Sequence, residues 1–515
     1  LHAEGKLRIG NGSQPIRLEP LLVRLEGFGL GRDLAVDFVL RTGVDADLDA
    51  GRYLADQTAL EIRAFGAALS EGRVEARVDA HWDLDLSAER LQVTDLAIRS
   101  GTLAANGTAS GQTLLSAPAF SGDLKVDAFD LRAWLTQRGL PLPRTTDPET
   151  FRRCVLDTRW RLENGWLGVP ELVLGIDETR LTGAIRQVST NPLSSRFDLV
   201  ADRLDLDAYL PPGEQIPARP GQVSQQQAPP AESTATPAGP DTGKAATAAA
   251  PTPGPAIDPA IAGFIGSLDL EGRLRIGELK LARFRFGDTD LEVRAKNGNL
   301  EVANRVGHFC EGGLTGRLAL DVWGTEPRVA LVQRAEGVES GHLLADLPWG
   351  GNVSGRGEIT ADLTAAGRSA DALRRSLAGT LALHFPRGVL RGVNLERMIR
   401  EASGRLPGAA SLEDLLTQTE FTDLRASAEV RNGVLSNRDL VATADHLRVT
   451  GAGTLDLVQG RIDYRLEPMF VKPPQGRVVR QFEQLHLLAT ASHSPPPFYL
   501  SLSPTSAGRQ RTGKT

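Results

Sequence analysis

In Arg461-Ile462-Asp463-Tyr464-Arg465-Leu466-Glu467 every second residue is charged and the residues between them are apolar. Successive side chains of a strand point to opposite faces, so such a run has one wet face and one greasy face, as a half-buried antiparallel strand does. The alternation recurs along the chain. Val74, Ala76 and Val78 sit between Arg73, Glu75, Arg77 and Asp79; Leu124 and Val126 sit between Asp123, Lys125 and Asp127; Leu318, Leu320 and Val322 repeat the pattern. Turn dipeptides at Asn106-Gly107, Asn164-Gly165, Asn297-Gly298 and Asn432-Gly433 separate these runs and predict a series of hairpins.

Helical signals are few and short. Asp130 can cap a helix over 131–138 that Gly139 ends, and Thr146 with Glu149 has capping-box spacing around Pro148. Asn394 can start another, with Leu395, Met398, Ile399 and Ala402 on one stripe, and Ser411 with Asp414 can cap a third over 412–418. Helices this short serve as lids and ends, because their apolar area cannot cover sheets of this extent. Aromatic residues make up only 5% of the chain beside Gly 54 and Pro 31, a mix that favours strands and turns over a helical bundle.

Between about Pro211 and Asp258, Pro, Ala, Thr, Gln and Ser replace every periodic apolar pattern. Such a stretch buries too little to offset its ordering entropy, so 211–258 is expected to be a disordered tether or surface insertion. It separates a β-rich 1–210 from a β-rich 259–502 that carries short helices, and 503–515 is expected to be a flexible basic tail. The chain begins with Leu1 rather than Met and reads as a fragment; no run is long and apolar enough to cross a bilayer.

Charge and chemistry narrow the function. Lys+Arg 58 against Asp+Glu 64 gives a net charge of −6 spread along the chain, without the basic footprint that nucleic acid requires. Cys154 and Cys310 allow one bridge at most, and the sequence leaves open whether they pair. His308 and Cys310 share a strand face, but two ligands make no metal site; the run reads as a strand end entering the Gly312-Gly313 turn. Gly239 to Lys244 is one residue short of a phosphate loop, and neither a nucleophile elbow nor a dinucleotide fingerprint occurs. Asp83 with Asp85, and Asp205 with Asp207, are spaced to share an outward strand face, where solvation suits them better than acid–base work. No catalytic, metal-binding or cofactor-binding residue is expected, and the chain is read as no enzyme.

A sheet with one apolar face must hide that face against another sheet, against itself by curling, or against something other than protein. With few helices and few large aromatics, the expected fold is mainly β: an elongated, curled antiparallel sheet forming an apolar groove, with a few short helices. Leu318, Leu320, Val322, Ile462, Tyr464 and Leu466 are the candidates to line that groove. Pattern alone leaves open whether this face takes acyl chains or packs a protein core.

The C-terminal third resembles the AsmA family of Gram-negative envelope proteins. The resemblance lies in Gly392-Val393-Asn394-Leu395, in the run from Thr419 to Ser427 leading to Val430-Arg431-Asn432-Gly433-Val434, in Asp439-Leu440, in the run from Leu447 to Leu457, and in Ile462-Asp463-Tyr464. Phe120 to Leu124, Phe129 to Arg132, Leu140 to Pro143 and Leu204 to Leu210 look like the family's middle portion. Cys310 to Gly316 resembles a turn usually written with Tyr in the cysteine position, which weakens any special role for Cys310. The resemblance covers the chain from roughly residue 60 onward. It implies a periplasmic β-rich protein, anchored to the inner membrane by an N-terminal helix that this fragment lacks. It also implies a part in outer-membrane assembly and in moving phospholipid between the two membranes by its acyl chains. A periplasmic scaffold or chaperone-like factor for outer-membrane proteins, meeting an assembly-factor partner, is the alternative. An enzyme of envelope glycan or lipid metabolism is a third reading, which requires the dispersed carboxylates to converge.

Overall fold

The computed structural model describes residues 2–8, 16–29, 35–66, 73–140, 142, 145–190, 193–210, 263, 266–282, 284–324, 326–343, 353–391, 418–445, 447–471, 484–490 and 499–503. It is mainly β, with a large mixed sheet that is not closed into a barrel and a few short helices. Two compact units are present: Leu1–Gly213 with Ala262–Thr325 and Leu331–Asp346, and Glu214–Ile261 with Glu326–Ala330 and Leu347–Thr515.

The first unit opens with β1 (His2–Arg8), β2 (Ile16–Gly29), β3 (Ala35–Asp47), β4 (Arg52–Phe65), β5 (Arg73–Asp85), β6 (Arg90–Ser100), β7 (Leu103–Gln112) and β8 (Ala119–Phe129). Helix α1 (Leu131–Gln137) follows, then β9 (Cys154–Glu163), β10 (Trp166–Ile176), β11 (Thr179–Thr190), β12 (Leu193–Asp205) and α2 (Leu206–Tyr209). After it come β13 (Leu268–Leu281), β14 (Phe284–Lys296), β15 (Asn299–Phe309), β16 (Gly312–Asp321), β17 (Arg328–Glu339) and α3 (Ser340–Leu343). From β1 to β12, and again from β13 to β16, each strand pairs antiparallel with the next.

Strands β12 and β13 instead run parallel, from Leu193 opposite Leu268 to Asp205 opposite Lys280. A parallel step cannot be closed by a tight turn, so residues 206–267 must return the chain across a strand length of about 40 Å. The Pro/Ala/Thr-rich stretch 211–258 belongs to that return connection and lies outside the described residues, as does the tail 504–515.

The second unit holds β18 (Val353–Ser354), β19 (Arg356–Ala366), α4 (Ala370–Ser376), β20 (Ala378–Phe385), β21 (Gly388–Leu390), β22 (Thr419–Phe421) and β23 (Asp423–Arg431). It continues with β24 (Val434–Thr443), β25 (Leu447–Asp456), β26 (Arg461–Phe470), β27 (Gln484–Thr490) and β28 (Tyr499–Ser503). Strands β19, β20 and β23 to β28 form an antiparallel ladder, while β18, β21 and β22 make a separate small sheet.

Several local expectations change. Asn106-Gly107 is not a turn but lies inside β7, and the chain turns at Gly101-Thr102 instead. A Cβ on Gly107 would lie 2.2 Å from the Asp123 carbonyl oxygen of β8, so this glycine serves a close backbone approach. Gly183 in β11 does likewise: its φ is +143° and a Cβ there would meet the Asp198 carbonyl oxygen at 2.1 Å. Both sit on the apolar face, where a missing side chain lets the sheet bend. The Thr146–Glu149 signal gives a turn rather than a helix, because Asp147 takes the capping role and accepts the Glu149 N–H at 2.8 Å. Helix α1 forms at the expected place, and Asp130 accepts the Ala133 N–H at 2.7 Å. The helices expected from Asn394 and Ser411 lie outside the described residues.

Arg and acidic residues alternate across the opposite, polar face. Arg52 reaches Asp83 at 3.0 Å, Arg159 reaches Glu171 at 2.6 Å and Arg275 reaches Asp198 at 3.1 Å. Such exposed pairs add little stability individually. Their value is to hold register, since a slip of one residue would turn every charge toward the apolar side.

Candidate functional site

Register partners carry one apolar line across the first unit. From Val23 in β2 it passes through Leu40, Leu60, Val78, Ile98, Ala105, Val126 and Leu156, one residue per strand. It continues through Leu174, Leu181, Ala201, Ile276, Thr289 and Val306 to Leu314 in β16. Thr289 is its one polar member, and its hydroxyl is buried without a hydrogen-bond partner. Ala105, Val126, Ala201, Ile276 and Val306 are buried, whereas Leu60, Val78, Ile98, Leu156, Leu174 and Leu181 remain half-buried. Among the described residues, α1 and α2 follow the ends of β8 and β12, and neither carries a buried residue of its own.

Around β12 to β14 side chains fill the line. Ala201, Ile276 and Leu279 form a small buried cluster with Leu181, Leu204, Leu206, Leu274, Phe286 and Leu291 against it. Phe286 stacks on Phe309 at 5.0 Å between ring centroids, with Phe284 beside them.

The six residues singled out from sequence fall into two sets. Leu318 ends a second apolar line, Ile185, Phe197, Gly272, Val293 and Val302, and is 37% exposed on the apolar side. Leu320 faces Leu300 and is half-buried; Val322 lies just past β16, where its N–H donates to the Gly298 carbonyl at 2.9 Å. In the second unit Ile462, Tyr464 and Leu466 face Leu455, Gly453 and Gly451, and all three are half-buried. Leu466 packs on the buried pair Leu447 and Val449. Five of the six thus lie on strands, two in the first unit and three in the second, while Val322 lies beyond the strand end.

Tyr464 has a polar partner that sequence reading missed. Its hydroxyl donates to the Asn437 side-chain oxygen, and the Asn437 amide donates to the Ser427 carbonyl at 2.6 Å and to Asp439 at 2.8 Å. Asp439 in turn accepts the Ser427 N–H at 2.8 Å and the Ser427 hydroxyl at 2.5 Å. Hydrogen bonding from Ser427 holds the Asp439 carboxyl below the usual range. Burial, with the Asp439 charge nearby, pushes the Tyr464 phenol up to about 12.

Among the described residues the reactive types do not converge. Asp83 pairs with Arg52, Asp85 accepts the Ala88 N–H at 2.8 Å in its own turn, Asp205 takes Lys280 at 2.7 Å, and Asp207 accepts the Ala282 N–H at 2.7 Å. His308 faces Asp288 at 3.0 Å, while Cys310 occupies the turn after β15 with φ +46°. Cys154 and Cys310 are free thiols, and burial pushes both toward the protonated form. Among the described residues no group of three His, Cys, Asp or Glu is placed to hold a metal, and no helix is long and apolar enough to cross a membrane.

The family model described as the AsmA family matches residues 109–440, well over half of the chain. The chain belongs to the AsmA family. Membership relates it to the cell envelope. Protein AsmA of Escherichia coli (strain K12) is 22% identical over 311 residues, covering 60% of this chain. The chain spans about half of that relative's length, 48%. The AsmA model begins inside β7 and ends inside β24, so the run from Leu447 to Tyr464 lies beyond its matched range.

Proposed function

We propose that this chain carries phospholipid by its acyl chains along the apolar face of its sheet, without catalysing a reaction. The observation that supports the reading is the apolar line from Val23 to Leu314, one residue from each strand, with half-buried leucines along it. A protein core of that extent would bury those leucines. Each methylene withdrawn from water is worth about 0.8 kcal/mol, so a half-open strip attracts hydrocarbon without a reactive side chain.

Length discriminates between a pocket and a track. Strands lie about 4.8 Å apart, so β2 to β16 spans roughly 65 Å along the sheet. One leaflet of hydrocarbon is about 15 Å thick. A strip several times longer than an acyl chain suits lipids in file better than one seated lipid. In this reading the protein works in the periplasm at the inner membrane and delivers phospholipid for outer-membrane assembly.

The test is direct. A photoreactive residue at Leu320, Ile462 or Leu466 is expected to crosslink to phospholipid acyl chains in cells, and the purified chain to yield phospholipid on extraction. A chain free of lipid, with no crosslink at any of the three positions, would overturn the proposal and favour a scaffold for outer-membrane protein assembly.

A further inference from the structure

Strand ends in the first unit fall on two edges, and one edge has a property the lipid strip does not use. There the register partners run Asp47, Arg52, Asp85, Arg90, Gln112, Ala119, Glu163 and Trp166, so the turns after β3, β5, β7 and β9 stand side by side. Hydrogen bonds tie three of them together. The Leu86 N–H donates to the Gly51 carbonyl at 2.9 Å and the Ser87 hydroxyl to the Ala50 carbonyl at 2.8 Å. The Glu89 carboxylate accepts the Leu115 N–H and the Ser116 hydroxyl, each at 3.2 Å.

Three of these turns nevertheless lift a leucine into water, and Trp166 opens β10 just past the fourth. Leu48 is 61% exposed, Leu86 39%, Leu115 73% and Trp166 45%. Farther along the same edge Asp269, Lys296, Asn299 and Asp321 are partners, and Trp323 beyond them is 74% exposed.

We propose that this edge docks on a lipid surface of low net charge, with Leu48, Leu86, Leu115 and Trp166 entering the headgroup boundary. The spacing argues for a fluid partner. Turns recur at every second strand, about 10 Å apart. Asp47, Asp49, Asp85 and Glu89 with Arg52 and Arg90 lie among the tips. A protein interface gathers its apolar area into one water-excluded core, which these separated tips do not form. A headgroup boundary accepts each tip on its own, and tryptophan is favoured at that depth. Acidic residues outnumber basic ones on these turns, so attraction to anionic headgroups is not the driving force.

The experiment uses the whole chain with dioleoylphosphatidylcholine vesicles, with and without added phosphatidylglycerol. The protein is expected to float with the neutral vesicles, and brominated phosphatidylcholine to quench its tryptophan fluorescence, with part of that quenching lost in Trp166→Phe. A Leu48→Ser, Leu86→Ser, Leu115→Ser triple variant should bind at least tenfold more weakly. Leu140→Ser, 46% exposed but on the opposite edge after α1, should bind as the native chain does. Absence of flotation and quenching, equal loss in Leu140→Ser, undiminished binding by the triple variant, or binding that rises with phosphatidylglycerol would each overturn the proposal. Acyl-chain crosslinking at Leu320 reports on the lipid strip separately, so failure of docking is distinguishable from failure of lipid carriage.

Discussion

Tyr464 shows what an apolar face requires of a polar side chain. Asn437 is 5% exposed, and its amide satisfies the Tyr464 hydroxyl, the Ser427 carbonyl and Asp439 together. Replacing Asn437 with Leu strands those partners, and a loss of about 2–3 kcal/mol in urea unfolding is expected. Tyr464→Phe leaves the Asn437 side-chain oxygen without that donor and should also change the pH dependence. The phenol is raised from 10 in the unfolded chain to about 12 in the folded one, so its protonated form is favoured by folding. The associated stability is complete below pH 10 and lost as pH rises through 12. Melting curves across that window should fall for the native chain and flatten for Tyr464→Phe; identical slopes would refute the assignment. The face of Tyr464 was legible because its neighbours alternate strictly. Asn437 was not, because β24 shifts register between Asn437 and Leu440, and a bulge moves residues off the period-two pattern.

Elements were legible where a local signal had no competitor. Asp130 caps α1 as its sequence suggests, and Asp130→Ala should cost about 1 kcal/mol of stability. Asn164-Gly165, Asn297-Gly298 and Asn432-Gly433 do turn, but Asn106-Gly107 is absorbed into β7 because the neighbouring strand needs the space a side chain would take. The parallel β12–β13 step was invisible, since a parallel and an antiparallel strand share the same alternation and the pairing partner lies across residues 206–267. Glycine on the apolar face offers a sharper test of element shape. Gly183→Val combines a φ of +143° with a Cβ that would lie 2.1 Å from a carbonyl oxygen, and a loss of at least about 2 kcal/mol is expected. Gly165→Ala, where nothing lies within 4 Å of the added Cβ and only the φ of +78° is strained, should cost about 1 kcal/mol. Equal midpoints in urea for the two variants would show that close strand approach at Gly183 is unimportant.

At the scale of the molecule, a track and a pocket respond differently to the same lesion. Period-two alternation told which residues share a face within a strand, but only register revealed that Leu60, Leu174 and Leu314 belong to one line. All three are half-buried leucines, far apart along that line, so an aspartate at each leaves its neighbours in place while setting a charge in the path of hydrocarbon. A carboxylate amid acyl chains costs about 3 kcal/mol, which corresponds to a slowing on the order of 100-fold. Lipids in file must pass every point, so Leu60→Asp, Leu174→Asp and Leu314→Asp should each slow phospholipid transfer between donor and acceptor vesicles to a similar degree. Crosslinking of lipid at Leu320 should persist in Leu60→Asp, because hydrocarbon can still occupy the rest of the strip. Loss confined to a single position would mean one seated lipid and a local pocket; no loss at any position would mean that the apolar face carries no lipid and serves protein contacts instead.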